Sequence, residues 1–187
     1  MEYHKGLMKL SLAENLRELM IMHLFEKITI KQICDRTGVI RATFYNYFDD
    51  KYDCLNWIVY HDLVESTRGS LQKGNIDEVL TIAFTTINEN KQFYRAGYRV
   101  TGQNSFEDMI RSNLYQVMRD YFGMYRKKGY LSKYSDELLA KYYGESLAFA
   151  VRAFAQETGG ARTVSEIKQM IMDLMSHSFF DFSTQNV

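Results

Sequence analysis

The chain has 187 residues, of which 46% are hydrophobic and 25% are charged, a balance typical of a globular protein. Its formal net charge is zero, so composition neither indicates nor excludes a nucleic-acid partner, because a basic patch can form on a neutral chain. No run of about eighteen apolar residues and no signal-peptide pattern is present, so we expect no membrane span and a soluble, cytoplasmic protein.

Helices are expected throughout the chain. Proline is absent, glycine is sparse, and the many Leu, Met, Ala, Glu, Lys and Arg residues favour helix over strand. No alternating run bounded by Gly or Pro suggests a sheet, so we predict an all-α fold of about nine helices. The first helix covers about residues 8–24, where Leu12, Leu16 and Leu19 recur at helical spacing.

Two short helices follow the first one. Thr29 and Gln32 have the spacing of a capping box, which starts a helix near residue 29. Gly38 stands where a left-handed residue is expected to end it, after about eight residues. The chain then resumes as a helix over about 41–48, and another runs over about 51–71 after an aspartate cap. This is the helix-turn-helix pattern, although any packed helical hairpin has similar features.

The 41–48 helix carries more aromatic rings than one buried face can hide. Its four rings lie within five positions: Phe44, Tyr45, Tyr47 and Phe48. Phe44 and Phe48 are four residues apart and share a face, so we expect both to be buried. The tyrosines then face elsewhere, together with Arg, Ala, Thr and Asn side chains. Arg, Thr, Tyr and Asn can bond to phosphate oxygens or base edges, and Ala leaves room for close approach.

The stretch GVIRATFYNYFDDK at 38–51 resembles the recognition helix of the TetR family of bacterial transcriptional regulators. The resemblance covers about residues 10–55 and implies a helix-turn-helix DNA-binding domain at 1–55 and a helical regulatory and dimerisation domain at 56–187. One departure is Ile40, where the family usually has a serine that caps the recognition helix. The matching residues are Thr29, Ile33, Cys34, Thr37, Gly38, Val39, Thr43, Phe44, Tyr45, Tyr47, Phe48 and Lys51.

The resemblance implies a sequence-specific regulator that binds a palindromic double-stranded DNA operator as a homodimer, usually a repressor released by an effector. Arg41 and Asn46 are then the candidates for reading bases, and Thr29, Tyr47 and Lys51 the candidates for positioning phosphates. The full set of implied DNA contacts is Thr29, Arg41, Ala42, Thr43, Tyr45, Asn46, Tyr47 and Lys51.

Five further helices are expected at about 76–89, 91–101, 105–128, 135–158 and 163–181. The resemblance implies that the last two pair with those of a second copy. Apolar residues of 138–154 cover more than one helix face, which requires burial on two sides. The alternative is a bundle within one chain. The predicted dimer interface is Tyr143, Leu147, Val151, Phe154, Ile167, Met170, Ile171, Leu174 and Met175.

The middle helices are rich in aromatic residues and arginine, which suggests an effector pocket or simply a core. The segments FYRAGYRVTGQNSF and YYGESLAFAVRAFAQETGG resemble a Firmicutes-type branch of the family. That branch includes an activator of dihydroxyacetone kinase genes that responds to a protein partner, so activation and a protein effector are alternatives. The predicted pocket residues are Phe84, Phe93, Tyr94, Tyr98, Arg99, Tyr121, Phe122 and Tyr125.

Other classes of function find less support in the sequence. It contains no G-x-G-x-x-G, P-loop, HExxH or G-x-S-x-G motif, so we predict no enzyme activity, no catalytic residue and no cofactor. Cys34, Cys54 and His61 fit no familiar zinc spacing, and we expect two buried structural thiols in place of a metal site. A helical adaptor that binds only protein remains an alternative, distinguished by the absence of salt-dependent binding to DNA.

Overall fold

A computed structural model describes residues 2–129, 132–158 and 162–177, with side chains from residue 6 onward. The described part of the chain contains ten α-helices, which confirms the all-α prediction. None of these helices is long and apolar enough to cross a membrane. The helices are α1 (Glu2–Met22), α2 (Ile30–Thr37), α3 (Arg41–Tyr45), α4 (Lys51–Tyr60), α5 (Arg68–Gln72), α6 (Ile76–Glu89), α7 (Lys91–Gly97), α8 (Phe106–Lys127), α9 (Asp136–Gln156) and α10 (Val164–Ser176).

The helix starts follow local capping chemistry. The Thr29 hydroxyl accepts the Gln32 amide at 3.2 Å, and the Gln32 side chain accepts the Thr29 amide at 2.8 Å, which completes the predicted capping box of α2. Gly38 ends α2 in the left-handed conformation, with φ of 74°. Asp50 caps α4 by accepting the amides of the second and third helical residues.

The single helix predicted over 51–71 is interrupted. After α4 the chain forms a π-helical turn over His61–Glu65 and then the short helix α5. The Ser66 hydroxyl donates to the Asp62 carbonyl at 2.6 Å, and the Thr67 hydroxyl donates to the Leu63 carbonyl at 2.8 Å. Such side-chain bonds to the preceding turn compete with the regular helical ladder and bend helices. Sequence periodicity did not reveal this break because the apolar spacing continues across it.

A buried ion pair joins the first helix to the π-helical turn. Two nitrogens of Arg17 donate to the two carboxylate oxygens of Asp62 at 3.1 and 3.0 Å. Tyr94 on α7 donates its hydroxyl to the same carboxylate at 3.0 Å, and the Arg17 guanidinium lies 4.6 Å from the centre of the Phe93 ring. Asp62 is 4% exposed, so three elements distant in sequence are tied together out of contact with solvent.

The helices after α5 pack into a second layer. Helices α8 and α9 approach closely at Gly144, where an added Cβ would lie 3.2 Å from the Cα of Tyr115. Arg95 on α7 donates to the carbonyls of Ala155 and Glu157 at the end of α9. Lys168 on α10 pairs with Asp77 on α6 at 2.8 Å. These contacts join α8 to α9, α7 to the end of α9, and α10 to α6.

The ion pair generates a testable prediction about stability. Asp62→Asn preserves the size of the side chain but removes the buried counter-ion of Arg17, which then keeps only the exposed carboxylate of Glu14 at 3.3 Å. We expect the free energy of unfolding near neutral pH to fall by about 3–5 kcal/mol. Asp35→Asn, which alters an exposed carboxylate on α2, is the control and should change it by less than about 0.5 kcal/mol.

The difference in unfolding free energy between the wild type and Asp62→Asn should depend on pH in a defined direction. Burial alone would raise the pKa of Asp62, but the adjacent His61 imidazole, the Arg17 guanidinium and the Tyr94 hydroxyl together lower it. The ionised carboxylate therefore stabilises the protein above the unfolded-state pKa of about 3.9, and this contribution is lost as pH falls through the folded-state pKa. Urea unfolding of the wild type and of Asp62→Asn should show a difference in unfolding free energy that narrows below about pH 4. A difference that persists unchanged at lower pH would contradict this role.

Candidate nucleic-acid interface

Of the four rings around α3, the two phenylalanines are buried and Tyr45 is exposed as predicted, but Tyr47 packs partly against the core and does not face outward freely. Phe44 and Phe48 are fully buried, with their ring centres 5.6 Å apart. Tyr45 is 49% exposed, and Tyr47 is half-buried. The two phenylalanines fix the orientation of α3 on the core of the first helices, and that orientation turns the opposite face of α3 to solvent.

The outward face of α3 carries hydrogen-bonding side chains. Arg41, Ala42 and Asn46 are exposed, and Thr43 is half-buried. Arg41 donates to the hydroxyl of Tyr45 at 3.3 Å, one helical turn away, so the guanidinium lies along the helix surface. This surface presents one cation, two hydroxyls and one amide from a single helix, which suits contact with base edges and phosphates.

Lys51 lies in a different environment from the other predicted DNA contacts. Its ammonium donates to the carbonyl oxygens of Phe25, Glu26 and Ile28 at 2.8, 3.2 and 2.9 Å, which occupies all three of its donors. Burial lowers its pKa, against the opposing effect of the Glu26 and Asp50 charges. In the structure Lys51 therefore holds the 3-10 turn over Phe25–Lys27, whereas the family resemblance implies a phosphate contact.

Thr29 is exposed, but its hydroxyl is already engaged in the α2 cap. It accepts the Gln32 amide and donates to the Gln32 side chain at 2.9 Å. Like Lys51, Thr29 thus has a structural role within the protein, in its case the helix cap that the sequence predicts. Of the remaining predicted contacts, all on or next to α3, four are exposed and two are half-buried, the latter being Thr43 and Tyr47.

Ile40 stands at the N-cap of α3 and makes no capping hydrogen bond. It is 71% exposed, although it is a large apolar residue. The serine usual in the family would satisfy a backbone amide here, so α3 starts without that support. Packing of Phe44 and Phe48 holds the short helix in place.

A cavity of about 370 Å³ lies between α6, α8, α9 and α10. The described residues that line it are almost entirely aliphatic and aromatic, and tyrosine is the one ionisable type among them. Leu63, from the π-helical turn, contributes to one wall. Three of the predicted pocket residues line the cavity: Phe84, Tyr121 and Phe122. The residues that the prediction missed include Val79, Leu80, Leu114, Val117, Met118, Leu147, Val151, Met172 and Met175.

The other five predicted pocket residues lie outside the cavity wall. Phe93 and Tyr94 are fully buried against α1, Tyr98 packs its ring on Phe106, and Arg99 is exposed. Tyr125 lies next to Tyr121, with ring centres 4.6 Å apart. Helix α7 turns its aromatic face toward α1 and α8, which is why its residues cannot face the cavity. The apolar residues that recur at helical spacing along α8 are the sequence signal from which this cavity wall could have been predicted.

Helices α9 and α10 have an inner and an outer apolar face. Five predicted interface residues are buried within the chain itself: Leu147, Val151, Phe154, Ile167 and Ile171. Tyr143, Met170 and Met175 are half-buried, and Leu174 is 58% exposed. The prediction missed Tyr142 and Phe149, which are 67% and 72% exposed on the outer face of α9. We call Tyr142, Phe149 and Leu174 the outer apolar face.

The described residues offer no competing metal site, since no group of three or more His, Cys, Asp or Glu side chains there is arranged to hold an ion. Cys34 and Cys54 are both buried and unpaired with each other. Burial raises the pKa of both thiols, so neither is prepared to act as a thiolate.

Comparison with known proteins identifies both halves of the chain. Residues 14–58 match the family described as bacterial regulatory proteins, tetR family, and residues 74–177 match one described as transcriptional regulator C-terminal region. The dhaKLM operon transcriptional activator DhaS of Lactococcus lactis subsp. lactis (strain IL1403) is 26% identical over 84 residues. That match spans 45% of this chain and 45% of the length of the relative.

Solved structures share the fold over nearly the whole chain. The dihydroxyacetone kinase operon activator DhaS superposes with a TM-score of 0.70 at 19% identity, covering 90% of this chain and 94% of that one. Thermus thermophilus FadR, a TetR family repressor solved in complex with lauroyl-CoA, gives 0.64 at 16% identity, covering 91% and 94%. At these identities the likeness establishes the fold.

The position of Lys51 yields a prediction that separates its two roles. Lys51→Met keeps the side-chain length but removes the donor to three carbonyls, so we expect the free energy of unfolding to fall by about 1–3 kcal/mol. The slope of log Kd against log salt for duplex DNA should stay at the wild-type value. A phosphate contact by Lys51 would reduce that slope by about 0.9. Lys31→Met, on the exposed side of α2, is the stability control.

Proposed function

Because the chain belongs to the TetR family of bacterial transcriptional regulators, we propose that it binds a palindromic operator as a homodimer and releases it when an effector binds. Binding to DNA and regulation of transcription follow from the family itself, whose members of this type are not enzymes. The observation that carries the proposal is the outward face of α3, where hydrogen-bonding side chains are exposed on a helix fixed by two buried rings.

We assign residues 1–55 to DNA binding and 56–187 to regulation and dimerisation. Within the first part, we propose that Arg41 and Asn46 read base edges, because both are exposed at α3 and its C-cap and can form paired hydrogen bonds. Thr43, Tyr45 and Tyr47 flank them and suit phosphate contacts. The proposed role of Lys51 is to hold the turn before α2 in place for this docking.

The outer apolar face supports the homodimer. The side chains of this face, Tyr142 and Phe149 on α9 and Leu174 on α10, are each more than half exposed. Neighbouring apolar side chains are seldom left exposed to water on a monomer, and such a patch usually marks an interaction site. Packing this face on its copy gives a two-fold interface of four helices. Dimerisation is required for the reading mechanism, since one short helix contacts few base pairs and two of them, about 34 Å apart, read a palindrome.

The apolar cavity supports a small-molecule effector with an apolar body. Its volume of about 370 Å³ lies in the range of ligand pockets, and the polar side chains that the described residues contribute to its wall are hydroxyl-bearing, namely Tyr121, Tyr143 and Ser176. A charged group would have to remain outside. The lauroyl-CoA bound by Thermus thermophilus FadR combines an apolar chain with a polar head, so we propose an acyl compound of this kind.

The sign of regulation distinguishes two versions of the proposal. Release by an effector, as in a repressor, is favoured by the presence of the cavity. Activation controlled by a protein partner is favoured by the similarity to DhaS. A reporter gene placed behind the selected operator separates them. Deletion of the regulator raises expression if it represses and lowers expression if it activates.

Selection of bound duplexes from a random pool tests the function. Wild type should enrich a palindrome with half-sites about one helical turn apart and lose affinity steeply with salt. Phe149→Asp should give a monomer by sedimentation that enriches at most a single half-site, because the outer apolar face then carries buried charge. Arg41→Ala should retain the palindrome but relax one base position, at a cost of about 1–3 kcal/mol.

The control for the interface is Tyr134→Asp, an exposed aromatic residue outside α9 and α10, which should remain dimeric. If the Phe149→Asp protein also remains dimeric and selects the wild-type palindrome, the outer apolar face is not the interface. If wild type enriches no sequence and its binding does not depend on salt, the adaptor interpretation replaces the regulator.

Ligand binding to the cavity has its own test. Lauroyl-CoA should raise the Tm of the wild type and weaken its binding to the selected operator, whereas free CoA, which lacks the apolar chain, should do neither. Ala83→Phe places a ring into the cavity wall and should reduce the affinity for lauroyl-CoA by about tenfold without changing operator affinity. Equal effects of lauroyl-CoA and free CoA on the wild type would contradict an acyl-chain site.

A further inference from the structure

The exposure of Ile40 is imposed by the backbone and not by a choice of rotamer. Ile40 has extended backbone angles, with φ of −85° and ψ of 158°, between the Gly38 turn and α3. Neighbouring residues in extended conformation point to opposite sides. Val39 packs against the core of the first helices, so the Ile40 side chain is directed to solvent.

The position of Ile40 places it at the leading end of the recognition helix. Its carbonyl accepts the amide of Thr43 at 2.9 Å and so begins α3. In helix-turn-helix proteins the N-terminal residues of this helix approach the base edges in the major groove. The next two residues, Arg41 and Ala42, are also exposed, and the small Ala42 side chain leaves room for close approach to the groove.

The chemistry of Ile40 restricts what it can contact there. Its side chain neither donates nor accepts a hydrogen bond, so it gains nothing from phosphate oxygens or from the polar base edges. The apolar group that the unmodified major groove presents is the C5-methyl of thymine. The Arg41 guanidinium donates to the Tyr45 hydroxyl one turn along α3 and so does not cover the Ile40 side chain.

We infer that Ile40 is a specificity residue that selects thymine in each half-site by contact with its C5-methyl group. The inference rests on the proposed function, since it requires α3 to enter the major groove. It adds an apolar contact to the polar reading by Arg41 and Asn46. The methyl contact also explains how an exposed isoleucine serves a position where a capping side chain would stabilise α3.

The test removes the methyl group from the DNA and the isoleucine from the protein. Replacing thymine by deoxyuridine at the selected position deletes only the C5-methyl and preserves every hydrogen-bonding group. In both half-sites together, this change should weaken wild-type binding about tenfold, as expected for lost contacts to two methyl groups. For Ile40→Ser the same change should weaken binding less than about twofold.

Ile40→Ser is a suitable variant because serine is favoured at an N-cap, so the fold is retained or stabilised. Its own selected site should lose the thymine preference at one position per half-site and keep the rest. Ile21→Ser, an exposed isoleucine on α1, is the matched control and should retain the full deoxyuridine effect. Thermal unfolding of all three proteins verifies that each is folded.

The outcomes separate this inference from the proposed function. An enriched palindrome with the same deoxyuridine effect in wild type and Ile40→Ser would overturn the methyl contact alone. A palindrome without a fixed thymine near the position read by the start of α3 would overturn it as well. Absence of any enriched sequence for wild type would remove the regulator proposal and the Ile40 contact together.

Discussion

The buried pair of Arg17 and Asp62 is the constraint on which the arrangement of the two halves depends. It links α1, the first DNA-domain helix, to the π-helical turn after α4, and Tyr94 extends the link to α7. Loss of Asp62 leaves Arg17 with only the exposed Glu14 as a counter-ion, and loss of Arg17 leaves the buried Asp62 carboxylate without its guanidinium partner. The carboxylate is fully satisfied, so the geometry of this junction is specified as well as stabilised.

The same turn also reaches the cavity. Asp62 contacts α1, while Leu63, the next residue, lines the wall between α6 and α8. The ion-pair residue Asp62 and the cavity-wall residue Leu63 are therefore adjacent in the sequence. Regular helix over this stretch would present these side chains at different angles, and the hydroxyls of Ser66 and Thr67 stabilise the irregular form through bonds to preceding carbonyls.

The reading surface depends on support from elsewhere in the chain. Helices as short as α2 and α3 are not stable alone, because most of the stability of a short helix comes from tertiary packing. Lys51 and Thr29 provide part of that support, one by donating to three carbonyls of the turn before α2 and the other by capping α2. Ile33 and Cys34 pack α2 on the core, and Phe44 and Phe48 pack α3, which leaves the opposite face of α3 free for a partner.

The sequence by itself determined the helical class, most helix starts and the burial of Phe44 and Phe48. Those features depend on interactions within a few residues, such as the Thr29–Gln32 cap, the Gly38 turn and the spacing of Phe44 and Phe48. The tertiary structure decided the Arg17–Asp62 junction, the use of Lys51 inside the protein and the assignment of α9 side chains to inner and outer faces. Each of these depends on segments far apart in sequence, and periodicity shows that a helix has apolar faces without showing which element covers each one.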